Sequence, residues 1–190
     1  ARQLGRARGL EVGRQQRALE LRRAGVTTGG QAQLGAPVGA DGQLAARLRE
    51  EADRVLGRER PTHAHVRELD LTSRVLDELL RLYPPAPFLM RRPRAETRLG
   101  GRLRVTPEQS VAVLLTTLHR DPAVWSDPDR FDPDRFLPDV ARARPSHAYR
   151  PFGTGKRVCT GRGFALVEGT LALAMIVRDL ELADPGPLRL

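Results

Sequence analysis

Cysteine is nearly absent from this chain: among 190 residues there is one, Cys159. No disulfide can close within the chain, and a four-cysteine zinc or iron–sulfur site is excluded. Lysine is as scarce, with Lys156 alone among 32 basic residues and arginine supplying all the others. Aromatic residues make up only 4%, and no basic helix or zinc-finger spacing accompanies the formal net charge of +9. The charge by itself is compatible with an Arg-rich nucleic-acid binder, but its scatter along the chain argues against one. No apolar run approaches the roughly 20 residues that span a bilayer. The Arg-rich first residues lack the apolar stretch of a secretory signal. The expectation is a cytoplasmic protein with no membrane and no nucleic-acid partner.

What is present suits a globular domain with a core: hydrophobic residues make up 40% of the chain. The character changes near residue 43. Residues 1–43 are rich in Arg, Gly and Gln and show no clean period, and residues 29–42 read as loop. Residues 44–57 follow a helical period, with Leu44, Leu48, Ala52 and Val55 on one face. A second helix over Asp70–Leu82 turns Leu71, Val75, Leu79 and Leu82 inward and stops at Pro84-Pro85. Thr97–Val105 reads as a hairpin around Gly100-Gly101. Ser110–Leu118 starts as a buried strand and runs into a short helix. His119–Asp139, with its DPDRF-DPDRF repeat at Asp127–Phe136, reads as a structured loop. Residues 162–180 form a helix apolar on most faces, which must be buried in a larger body. The tail from Leu182, with Pro185 and Pro187, reads as irregular.

The loop before that last helix carries the cysteine. A helix N-terminus presents partial positive charge and free N–H groups, which favour a thiolate over a thiol. Lys156, Arg157 and Arg162 add positive charge. Gly153, Gly155 and Gly161 permit turns and close approach, and Phe152 offers an apolar wall. These features describe a charged sulfur beside a flat or bulky partner. A buried cysteine at a helix start, with glycines for tight packing, accounts for the same spacing.

The motif Phe152-x-x-Gly155-x-Arg157-x-Cys159-x-Gly161 resembles the haem-binding signature of the cytochromes P-450 at every fixed position. Further likenesses precede it in the family's order. Glu78-x-x-Arg81 lies on the helix that ends at Pro84-Pro85, where residues three apart share a face. Pro133-Asp134-Arg135-Phe136 resembles the family's loop before the haem ligand. Leu99-Gly100-Gly101 and Leu118-His119-Arg120-Asp121 sit where the family's small sheet and adjoining helix belong. The stretches LRLYPPAP, LGG, LHRD and HAYRPFG are most similar to the bacterial self-sufficient fatty-acid hydroxylases, and the compositional bias also suits a GC-rich bacterial genome. The likeness covers residues 44–184.

The resemblance implies a mainly α fold with a small β-sheet component, the C-terminal part of the cytochrome P-450 fold, over residues 44–190. It implies haem b as cofactor, with Cys159 as its thiolate ligand to iron, and a monooxygenase acting with O2 on a hydrophobic small molecule, a fatty acid by the subfamily likeness. Electrons come from a flavin or iron–sulfur partner. By the same carry-over, Arg157 pairs with a haem propionate, and Arg92 is a second candidate for that task. Phe152 lies against the ligand, Gly155 belongs to the same signature, and Gly161 and Ala165 leave room for the macrocycle. Ala86 faces the substrate pocket. Glu78, Arg81 and Arg135 form a buried structural network, whose disruption strands a charge. Lys156, Arg162 and neighbouring arginines colour the surface near the ligand positive, although a generally basic protein accounts for them equally.

The chain departs from the family in one respect. A whole domain of this family is much longer, and its long haem-crossing helix carries an acid and a threonine that manage proton delivery. Ala24-Gly25-Val26-Thr27-Thr28 is a faint echo of that segment, with Thr28 as the candidate catalytic threonine and Thr27 where the acid belongs. Residues 1–43 therefore read as a degraded or frameshifted remnant of that helix. A non-catalytic remnant of such an enzyme is the competing function.

Overall fold

The computed structural model describes residues 41–182. Expectations for residues 1–40, Thr28 among them, and for residues 183–190 lie outside the described part. The described residues fall into two compact units. The first contains residues 41–76 and 163–182, and the second contains Asp77–Arg162.

In the first unit, α1 (Gly42–Leu56) buries Leu44, Leu48, Ala52 and Leu56 along one stripe. It begins two residues before the helix start expected at residue 44. The reason is the Asp41 side chain, which accepts the N–H groups of Gln43 and Leu44, both at 3.0 Å. Such a cap satisfies donors that the first helical turn leaves free. Glu51, buried on α1, does the same for α2 (Asp70–Leu82). Its carboxylate accepts the backbone N–H of Leu71 and of Thr72, each at 2.8 Å, and the Thr72 hydroxyl at 2.7 Å. At the other polarity, Arg49 donates to the carbonyls of Val177 (3.0 Å) and Leu180 (2.8 Å), at the C-terminal end of the last helix.

That last helix, named α5 below, is Arg162–Asp179. It buries Thr170, Leu173, Ala174 and Val177. Gly169 lies against Leu76 so closely that a Cβ there would meet Leu76 Cδ2 at 2.9 Å. Burial on most faces was the expectation, yet Phe164 is 72% exposed and Met175 is 38% exposed. The described part of this unit covers only one side of an apolar helix.

The second unit contains two small antiparallel sheets. Strand β1 (Phe88–Arg91) pairs with β4 (Val111–Leu114) in a register that runs from Phe88 opposite Leu114 to Arg91 opposite Val111. Strand β1 is not signalled by the sequence, because its four residues follow a proline-rich turn. Strand β4, expected to be buried, exposes Ala112, Val113 and Leu114, since β1 is its sole sheet partner and no described layer covers that face. Strands β2 (Thr97–Leu99) and β3 (Leu103–Val105) form the expected hairpin, and Gly100 and Gly101 adopt the positive φ values of its turn (57° and 70°). A single turn, α3 (Leu115–Leu118), follows β4, and α4 (Pro138–Ala143) lies inside the stretch beyond the repeat. The second copy of the repeat closes a short 3-10 turn at Pro133–Phe136, capped by the Asp132 side chain on the N–H of Asp134. Val105, Leu115, Trp125, Phe136 and Ala148 are buried in this unit.

Candidate functional site

Every described candidate except Ala165 lies in the second unit; Ala165 is exposed on α5 in the first. The site begins in the last turn of α2. Glu78 and Arg81 are both fully buried, and the guanidinium grips the carboxylate with two bonds of 2.6 and 2.8 Å. A buried charge is tolerable only when its partners are complete. Here they are supplied from far along the chain. Arg81 also donates to the carbonyls of His119 (2.8 Å), Pro128 (2.6 Å) and Arg130 (3.2 Å). Glu78 accepts the backbone N–H of Asp132 at 2.9 Å, and Arg135 Nε lies 3.5 Å from the same carboxylate oxygen. Arg135 in turn donates to the carbonyl of Asp127 at 2.9 Å. The structure thus brings Glu78, Arg81 and Arg135 together.

Rings seal this network. Trp125, Phe136 and Tyr149 pack in tilted and edge-on pairs. The guanidinium of Arg144 lies 4.0 Å over the centre of Trp125 and donates to the Arg135 carbonyl. The Tyr149 hydroxyl sits 2.9 Å from Asp77 Oδ1 and 3.0 Å from the Asp77 carbonyl. Burial pushes the Asp77 carboxyl above its ordinary range, although the Tyr149 bond opposes the shift. Burial also raises the Tyr149 hydroxyl well above its own.

Tyr149 and Arg150 lead directly into the cysteine loop. Gly153 donates its N–H to the Arg150 carbonyl (3.0 Å), and Val158 donates to Gly155 (3.1 Å). Gly153 and Gly155 hold φ values of 75° and 69°, a region where a side chain is strained. The N–H of Cys159 donates to the Phe152 carbonyl at 2.9 Å, which closes the loop on itself. Phe152 is half-buried, while Arg157, Cys159 and Gly161 are exposed. A Cβ at Gly161 would lie 3.9 Å from the sulfur, so the absence of a side chain keeps that flank of the thiol open. The loop rests on β1, since a Cβ at Gly153 would touch Leu89 at 3.6 Å. Strand side chains alternate, so Phe88 and Met90 turn the other way and, with Leu114 opposite Phe88, form an exposed apolar face. Ala86 and Arg92 are exposed just before and after β1.

These features can be tested against a haem. An exposed thiol with an open flank, next to an exposed arginine, suits a flat anionic macrocycle. Among the described residues no three His, Cys, Asp or Glu side chains gather to hold a metal ion. The residues fit the group.

Sequence reasoning left four participants without a role: Asp77, His119, Trp125 and Tyr149. The stretches LHRD and HAYRPFG contain two of them, yet a buried ring nitrogen on a distant backbone group leaves no periodic signal.

Comparison with known proteins agrees. The family model described as Cytochrome P450 matches residues 41–187. A bifunctional cytochrome P450/NADPH–P450 reductase of Bacillus subtilis is 41% identical over 138 residues, covering 73% of this chain and 13% of that protein. Cyclooctatin synthase of Streptomyces melanosporofaciens is 44% identical over 131 residues, covering 69% of this chain and 28% of that protein. The crystal structure of the cytochrome P450DA heme domain superposes with a TM-score of 0.71 at 37% identity, covering 78% of this chain and 33% of that one. The chain thus spans only a minor share of the length of the relatives it matches.

Proposed function

The chain belongs to the cytochrome P450 family, and from that premise we propose that it supplies the haem-ligand part of a haem-thiolate monooxygenase, with Cys159 as the ligand to iron. The observation that carries the reading is the loop itself: a lone, exposed thiol, fixed by its own backbone N–H, on a turn held by two positive-φ glycines. Members of the family bind haem b, which when bound activates O2 so that one oxygen atom enters an apolar substrate and the other leaves as water.

The residues of this chain bind and orient. Arg157, and Arg92 as a second cation, pair with the propionates, because a guanidinium grips a carboxylate through parallel N–H groups. Phe152 fixes the ligand through its carbonyl, and Gly155 and Gly161 keep side chains out of the space beside the sulfur. Ala86, with the exposed face of Phe88, Met90 and Leu114, lines the apolar side where substrate lies. Glu78, Arg81 and Arg135 hold the segments that support the loop. A fatty acid is the proposed substrate, on the likeness to self-sufficient hydroxylases. A flavin-containing NADPH reductase is the proposed electron source, since the names of the fused relatives include an NADPH–P450 reductase.

The test is spectroscopic. Residues 1–190 are expressed, loaded with haem, reduced and placed under carbon monoxide. The strongly red-shifted band of thiolate-ligated haem is expected, and its loss in Cys159→Ala identifies the ligand. No such band in the parent chain would overturn the reading for these residues and favour the non-catalytic remnant. Among the described residues no helix is long and apolar enough to cross a membrane.

A further inference from the structure

We infer that His119 is a positioning residue for the cysteine loop: its imidazole, protonated on Nδ1, ties the carbonyl of Arg81 to the backbone N–H of Arg150. The ring is fully buried. Its Nδ1 lies 3.2 Å from the Arg81 carbonyl oxygen, and its Nε2 lies 3.0 Å from the Arg150 nitrogen. A carbonyl only accepts, so Nδ1 must carry a proton. A backbone N–H only donates, so Nε2 must be bare. The two bonds together select one tautomer of the neutral ring, and an imidazolium can make the first but not the second.

The surroundings favour the neutral ring. Burial lowers the pKa of His119 to about 4, the Arg81 carbonyl opposes the shift, and the charges of Arg81 and Arg120 add to it. The Tyr149 ring closes one side, 5.5 Å between centres. The link to Arg81 is reciprocal, because the Arg81 guanidinium donates to the His119 carbonyl at 2.8 Å. At the other end Arg150 is where the loop begins: its own carbonyl takes the Gly153 N–H, and Phe152, two residues on, takes the Cys159 N–H. One ring therefore passes the position of the last turn of α2 to the backbone that orients the cysteine. The Tyr149 hydroxyl on Asp77 is a second tie between α2 and the start of the loop, but it does not reach the Arg150 backbone N–H, which His119 takes.

The spectroscopic arm of the test rests on the haem reading above; the other two arms do not. In the 190-residue chain, imidazole nitrogen shifts should show His119 as the Nδ1–H tautomer, and an Nε2–H tautomer would overturn the inference without any substitution. Glutamine places its amide oxygen near the Nε2 position, whereas asparagine reaches only the Nδ1 position. The Arg150 amide should exchange about tenfold faster in His119→Asn than in His119→Gln, the worth of one hydrogen bond. The amides of Val75 and Leu79 in α2 should exchange alike in both. The fraction of reduced, CO-bound haem showing the thiolate band should follow the same order. Equal Arg150 exchange in the two variants would sink the proposal. If the ordered exchange is found but the parent chain shows no thiolate band, the haem reading fails and the positioning role stands.

Discussion

The two units solve one problem in different ways. In the first, helices satisfy most of their own backbone, and side chains are needed only at the ends: Asp41 and Glu51 at N-termini, Arg49 at a C-terminus. In the second, long stretches between Leu118 and Pro151 have little regular structure, so carbonyls and amides must find side-chain partners. Arg81 alone serves carbonyls at three positions, and Glu78, Arg135, His119 and Tyr149 serve others. Buried charge in the second unit does what the helical ladder does in the first. The ionic side chains hold the segments that precede the cysteine loop, and the neutral His119 ring ties Arg150, at the start of that loop, to Arg81.

The sharpest way to break this contrast is Arg81→Ala. It leaves Glu78 buried and three carbonyls without their donor, and should cost about 3–5 kcal/mol. The signal of Trp125, the chain's one tryptophan, should lose its folded signature, while the far-ultraviolet helical signal of the first unit persists. Equal loss of both would show that the division of labour is wrong. Glu51→Ala is the matching change in the first unit. It removes three bonds from the start of α2 and should cost about 1–3 kcal/mol in denaturant unfolding, visible first in the helical signal.

A pH titration then separates two groups within the second unit by the sign of their effect. The folded pKa of His119, about 4, lies below its ordinary 6.5. Between those values the unfolded chain binds more protons, so this contribution is complete above pH 6.5 and is lost as pH falls toward 4. Asp77, raised above 3.8, acts the other way, and its contribution fades as pH rises through its folded pKa. The acid-side loss followed by Trp125 fluorescence should shrink in His119→Gln, and an unchanged slope would assign it to another group. Of the same order as Glu51→Ala is Gly169→Leu, which forces a side chain against Leu76 and should cost about 1–3 kcal/mol. Leu76→Ala in the same chain should recover part of that loss, as contacting residues are not additive. Last, Cys159→Ala should change stability by no more than about 0.5 kcal/mol, because the side chain is exposed and the loop bonds run through backbone.

The amino-acid sequence by itself determined the local elements. Apolar spacing marked α1, α2 and α5, Gly100-Gly101 marked the hairpin, and Pro84-Pro85 marked the end of α2. The loop signature singled out Cys159, and a separation of three placed Glu78 and Arg81 on one helix face. Each is a short-range effect, set by 3.6-residue or two-residue periods or by the φ that one residue allows. Only the tertiary structure decided that one carboxylate would face both Arg81 and Arg135, that β1 would pair with β4, and that Phe164 would stay exposed. It also decided that His119 would join Arg81 to Arg150. The polar pairings among these link residues tens of positions apart. Such bonds carry no sequence period; they form only when the closing chain removes both partners from water and leaves them each other to bond.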